Sequence, residues 1–317
     1  MASQQAVDFK NLLADLSRRA ANPNFDLSTI RDVTENIHVA TREPEGVTYA
    51  EVDAGGVEAM WCIPEGAAPD AAIVHTHMGG SVLMSMHSDR KAAAHIAKAA
   101  GVRSLVLNFR RSPEHKYPAQ IEDVCNAYYW LLDQGYKPHK IASVGHSIGG
   151  YLAVALALRL RDRGEAPPAS ILSISPWTDI TLSGASIEIN ADRDALLSRG
   201  LMELFRSCWL DGTDVEWTDP QVNLLEATLS DLPPIAVYYG EHELLASDAI
   251  AFSARAKKAG NEITVRRVDE GQHSFIIAAG RVPEVDQAIA EMGSWLRTTL
   301  GLGSAVAQPR LTLIDEA

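Results

Sequence analysis

Apolar residues recur along this chain with two periods that take turns. Between residues 6 and 20, Phe9, Leu12, Leu13 and Leu16 fall three and four positions apart, the spacing of an amphipathic helix, and Asn22-Pro23-Asn24 closes it. A second short helix is predicted over 27–35. The β-rich runs 47–52 and 57–63 flank Asp53-Ala54-Gly55-Gly56 and read as a hairpin. Beyond them, short apolar runs at 71–74, 102–109, 140–144, 169–175, 235–239 and 263–268 have the length of buried strands. Helical patterns fill 89–100, 120–134, 247–259 and 282–300, and an alanine-rich helical segment follows residue 147. Strand and helix in alternation predict a mostly parallel central sheet covered by helices on both faces, an α/β fold.

The alternation breaks once. Residues 180–218 have only helical or loop character, with Leu201, Leu204, Phe205, Cys208 and Trp209 at helical spacing. An insertion after the carboxyl end of a strand either lies over a site or packs its apolar stripe on the core, and the pattern leaves both open. The chain shows no internal repeat, and residues 301–317 carry no strong pattern.

The stretch with the most chemistry in it is Gly145-His146-Ser147-Ile148-Gly149-Gly150, set between an apolar run and the alanine-rich helix. A Gly-x-Ser-x-Gly turn in that context is a strand-elbow-helix unit. The turn is tight enough to force the serine into a strained conformation, and its neighbours must be small to allow it. The strain holds the hydroxyl clear of the backbone at a helix N-terminus, where free N–H groups meet an anion.

A serine hydroxyl is a poor nucleophile at neutral pH and needs a base, with a carboxylate to orient that base. His273, in the loop after the late strand 263–268, is the best candidate for the base. Glu241, Glu243 and Asp248 follow the strand 235–239 and offer three candidate acids. The order serine, acid, histidine is that of the α/β-hydrolases. A tetrahedral intermediate also needs donors for its oxyanion, and the amides of Gly79, Gly80 and Ile148 are placed to supply them.

Composition removes several other classes. The 317 residues suffice for one large α/β domain with an accessory piece. A net charge of −13 argues against a nucleic-acid or anionic-membrane surface. Cys62, Cys125 and Cys208 are few, scattered and odd in number, which fits a reducing compartment. The opening Met1-Ala2-Ser3-Gln4-Gln5 lacks the basic region and apolar core of a signal peptide, so the expected location is cytoplasmic. His75 and His77 form a His-x-His pair that elsewhere marks metal ligands. A metallohydrolase needs further ligands at later strand ends, and the elbow already accounts for the site, so neither metal nor cofactor is expected.

Three motifs carry a family resemblance. His77-Met78-Gly79-Gly80 looks like a His-Gly-Gly-Gly oxyanion loop, Ser112-Pro113-Glu114-His115-Lys116-Tyr117-Pro118-Ala119 is similar to a Pro-Glu-His-x-x-Pro-Ala loop, and 145–150 match the nucleophile elbow. Together they resemble the hormone-sensitive-lipase-like branch of the α/β-hydrolase fold, the bacterial carboxylesterases, over residues 40–300. The resemblance implies one α/β-hydrolase domain across 1–317, with a helical cap formed by about 1–40 and 180–218. It implies Ser147 as nucleophile, His273 as base, and Gly79, Gly80 and Ile148 as oxyanion donors. The family pattern of an acid three residues past a strand-ending glycine selects Glu243. Met78 departs from the family's first glycine and His146 from its acidic or small residue before the serine; with Phe205 and Trp209 they are the candidate substrate-binding residues.

The reading is a serine carboxylesterase acting on small, largely uncharged, short-acyl esters through an acyl-enzyme. A lactonase or an amidase with the same triad is the alternative within that chemistry, and a non-catalytic ligand-binding receptor is the alternative outside it. A homodimer paired through the strand 263–268, expected at the sheet edge, is the partner that the resemblance suggests.

Overall fold

The computed structural model describes residues 2–303, and the part of the patternless tail from 304 to 317 lies outside them. The hairpin is present as β1 (Val47–Asp53) and β2 (Glu58–Pro64), paired antiparallel. Then come β3 (Ala68–Thr76), β4 (Val102–Leu107), β5 (Ile141–His146), β6 (Ser170–Ile174), β7 (Ile235–Gly240) and β8 (Ile263–Val268). These eight strands form one sheet in the order β1-β2-β4-β3-β5-β6-β7-β8, parallel from β4 to β8. β8 closes the sheet at its edge.

Helices fill the connections. α1 (Gln4–Ala20) and α2 (Leu27–Glu35) precede the sheet, each started by a side-chain cap, Ser3 and Asp26 respectively. α3 (Met86–Ala100) begins three residues before the expected position, because Ser85 and Ser88 form a reciprocal capping box there. α4 (Ala119–Asp133) and α5 (Ile148–Asp162) follow, and α5 is apolar on nearly every face because the rest of the fold surrounds it. α6 (Ser186–Ile189) and α7 (Arg199–Leu210) occupy the segment where the alternation broke, and α8 (Ala246–Lys258) and α9 (Pro283–Thr299) complete the set. A contiguous apolar core runs from Phe9 and Leu13 of α1 through the sheet to Leu296 of α9. Among the described residues, no helix is long and apolar enough to cross a membrane.

The topology decides where a site can form. After β3 the chain moves to one side to build β4 and then returns past β3 to build β5, so the carboxyl ends of β3 and β5 diverge into loops that leave a crevice. The His77 loop and the Ser147 turn leave the sheet there. The loops after β7 and β8 reach the same end.

Candidate active site

Ser147 occupies the single residue between β5 and α5, with φ 60° and ψ −124°. A side chain rarely holds that conformation, and here the surroundings impose it. The Ser147 amide donates to the Ile174 carbonyl at 2.9 Å, and its own carbonyl accepts from Trp177 N at 3.2 Å, which ties the elbow to the end of β6. The flanking glycines are dictated by close approach: a Cβ on Gly149 would collide with the Thr76 carbonyl oxygen, and one on Gly145 with the Gly149 carbonyl.

The loop after β3 turns back on itself, with the amides of Val82 and Leu83 both donating to the Gly79 carbonyl at 2.9 Å. Gly79 and Gly80 have φ of 111° and 62°, the left-handed half of backbone space that glycine enters without penalty. The His77 Nδ1–H donates to the Met78 carbonyl at 2.6 Å, and the ring stacks on Phe109 with centroids 4.1 Å apart. Burial lowers the His77 pKa to about 4, so this imidazole is a neutral strut. The amides of Gly79, Gly80 and Ile148 have no acceptor among the described residues.

Arg31 braces this loop from outside. Its Nε–H donates to the Val82 carbonyl at 2.9 Å and its Nη2 to the Ser112 carbonyl at 2.8 Å, while both terminal nitrogens bond the Glu114 carboxylate. The Ser112 amide in turn donates to the Ser81 carbonyl at 2.7 Å. A planar guanidinium suits this role because it serves a carboxylate and two carbonyls at once. The sequence reading missed Arg31, which sits in a helix remote in sequence from the loops it joins.

His273 is buried at the end of the loop after β8, and its Nδ1 lies 3.5 Å from Glu243 Oε2. That distance is within ion-pair reach and longer than a strong hydrogen bond. Burial pushes the Glu243 carboxyl up and the His273 imidazole down, both toward the neutral form. The other two acids are occupied elsewhere. Glu241 pairs with Arg267 at 3.2 Å and accepts from the Glu270 amide at 3.0 Å. Asp248 accepts from the amides of Thr178 and Asp179 at 2.9 and 2.8 Å, which fixes the loop after β6.

Ser147, His273, Met78, Gly79, Gly80 and Phe205 line one cavity of about 900 Å³. Its remaining walls come from α1, α2, the loop after β3 and the segment carrying α6 and α7, and leucine is their commonest residue. Two of the four candidate substrate-binding residues are not among its walls. Trp209 is fully buried among Tyr117, Tyr151 and Trp177, with its indole donating to Gln120 Oε1 at 3.0 Å. His146 points into the protein, where Asp89 of α3 accepts from its Nε2 at 2.7 Å and from His75 Nε2 at 2.6 Å. Successive strand residues face opposite ways, so the residue before Ser147 turns away from the cavity. The ligand atoms of His75, Asp89 and His146 lie within 4.8 Å of one another, but the Asp89 contacts have hydrogen-bond lengths.

Known proteins share this fold. The profile of the α/β-hydrolase fold family matches residues 73–277. An acetyl-hydrolase of Streptomyces hygroscopicus is 35% identical over 253 residues, 80% of this chain and 83% of that protein. Among solved structures, an esterase from the bacterial hormone-sensitive lipase family superposes with a TM-score of 0.90 at 34% identity, over 95% of this chain and all of that one. The esterase EstE5, in a crystal soaked with p-nitrophenyl butyrate, superposes with a TM-score of 0.87 at 32% identity over 95% of this chain and all of that one. The chain belongs to the α/β-hydrolase fold family, in its hormone-sensitive-lipase-like branch. It is an enzyme of the ester-hydrolase class.

Proposed function

We propose that the protein is a serine carboxylesterase for small, uncharged, short-acyl esters, with Ser147, His273 and Glu243 as its triad. The observation that carries this reading is one cavity that holds a serine in a strained elbow, a buried imidazole and a glycine pair with unpaired amides. His273 Nε2 takes the Ser147 proton as Oγ attacks the ester carbonyl, and the oxyanion meets the amides of Gly79, Gly80 and Ile148. The proton passes to the departing alcohol, water enters, and His273 activates it to release the acid. Glu243 orients the imidazole and balances its transient charge. Helices α1, α2, α6 and α7 act as a cap whose leucine-rich walls suit uncharged substrates.

The short-acyl preference is supported by the bulk of Met78 and Phe205 beside the oxyanion donors, by a relative that is an acetyl-hydrolase and by a neighbour soaked with a butyrate ester. A p-nitrophenyl alkylphosphonate tests the chemistry, because Ser147 Oγ would attack phosphorus and expel p-nitrophenolate. Intact-mass measurement should show one adduct per chain, located on Ser147 by peptide mapping. An adduct elsewhere, or none, contradicts the assignment. A homodimer through β8 is proposed on the strand's edge position, and sedimentation should then give twice the mass of the chain.

A further inference from the structure

We propose that Asp194, carried by the segment between α6 and α7, is a positioning residue for the His273 imidazole and supplies part of the negative field that its protonated form needs. The inference rests on His273 being the base. Asp194 is almost fully buried and lines the same cavity as Ser147 and His273. Its Oδ1 accepts from the amides of Leu196 and Leu197 at 2.8 and 2.9 Å, and its Oδ2 from the Leu244 amide at 2.8 Å. Leu244 directly follows Glu243, so the carboxylate clasps the loop that holds the triad acid.

The neighbouring residues repeat the pattern. Asn190 Nδ2 donates to the carbonyls of Glu241 and Glu243 at 3.0 and 2.9 Å. The Ala195 amide donates to Gln272 Oε1 at 2.7 Å, one residue before His273. Ser17 of α1 closes the far side, its hydroxyl donating to the Ala195 and Leu196 carbonyls at 2.9 and 3.1 Å. Residues 190–197 therefore hold both triad loops, and α1 in turn holds them. Sequence adjacency explains none of these bonds.

The ionisable groups around the imidazole are Glu243, 3.5 Å from it, and Asp194, which lines the same cavity. They differ in surroundings. Neither Glu243 oxygen has a hydrogen-bond partner among the described residues, whereas Asp194 has three N–H donors directed at its carboxylate. Burial raises the Asp194 pKa on balance, and the imidazole and the three N–H donors oppose that rise by favouring the ionised form. A charge held on the cap segment favours the imidazolium that forms as Ser147 attacks.

Asp194→Asn keeps the size and an acceptor for Leu196 and Leu197 but removes the charge; Asp194→Ser keeps the turn-capping oxygen and is the second variant in case the first fails to fold. The pH dependence of kcat/KM on p-nitrophenyl acetate is compared with wild type, alongside His273→Ala. The expected result is an acid limb shifted to lower pH by roughly half a unit or more, because a lost carboxylate lowers the affinity of the imidazole for its proton. A lowered melting temperature or kcat with an unmoved acid limb would reduce Asp194 to a structural brace and overturn the proposal. Full activity in His273→Ala would overturn the base assignment itself, and this proposal with it, so the two failures are distinguishable.

Discussion

The ring of Phe205 lies against Gly80 so closely that a methyl group on the glycine would overlap Cδ2 and Cγ of the ring. A side chain of α7 is thus the roof over one of the proposed oxyanion donors, and it lines the cavity beside Ser147. Shape at this contact selects substrates, because a close-packed wall rejects added volume more sharply than it penalises a gap.

Wild-type enzyme should therefore prefer p-nitrophenyl esters of acids up to about six carbons. Phe205→Ala should move the optimum to longer chains and raise KM for the acetate ester. Measured kcat/KM across a series from two to sixteen carbons checks it, and best activity of the wild type on palmitoyl-length chains would contradict it.

A second expectation concerns pH. His273 works as a base only when neutral, and burial lowers its pKa below the ordinary imidazole value of about 6.5. As pH falls, the neutral form persists through the ordinary range and is lost only below it. The acid limb of kcat/KM should accordingly lie beneath pH 6.5, and a limb at or above that value would mean that the working imidazole is less enclosed than His273.

The two buried acids after β7 should separate cleanly. Glu243→Gln should lower kcat by roughly a thousandfold or more, since the imidazole loses its orienting acceptor and its counter-charge. Asp248→Asn should retain turnover and lose stability, on the order of 1–3 kcal/mol, through weaker acceptance from Thr178 and Asp179. Steady-state kinetics and thermal melts on both variants check this, and the reverse pattern would exchange the two roles.

The parts legible in the sequence were those whose geometry is written locally. An apolar run, a Gly-x-Ser-x-Gly turn and a helical pattern define the Ser147 elbow within a few residues, and short apolar runs define the strands that lead into the Gly79 and His273 loops. What was not legible depends on partners far apart in the chain. Arg31 is 83 residues from Glu114, Asp89 is 57 from His146, and Asp194 is 50 from Leu244. The departure from the family's residue before the serine points to His146 as a substrate contact, whereas strand geometry turns it onto Asp89. Trp209 was assigned there because it shares a helical stripe with Phe205; the stripe spans two faces, one lining the cavity and the other packed among Tyr151 and Trp177. Periodicity identifies a buried face without naming what buries it.

Ser147→Ala tests the central claim most directly. Its melting temperature should stay close to that of wild type, and turnover of p-nitrophenyl butyrate should fall at least about a thousandfold, because covalent catalysis is lost while the oxyanion donors remain. A folded Ser147→Ala enzyme with near-normal kcat would contradict the serine mechanism.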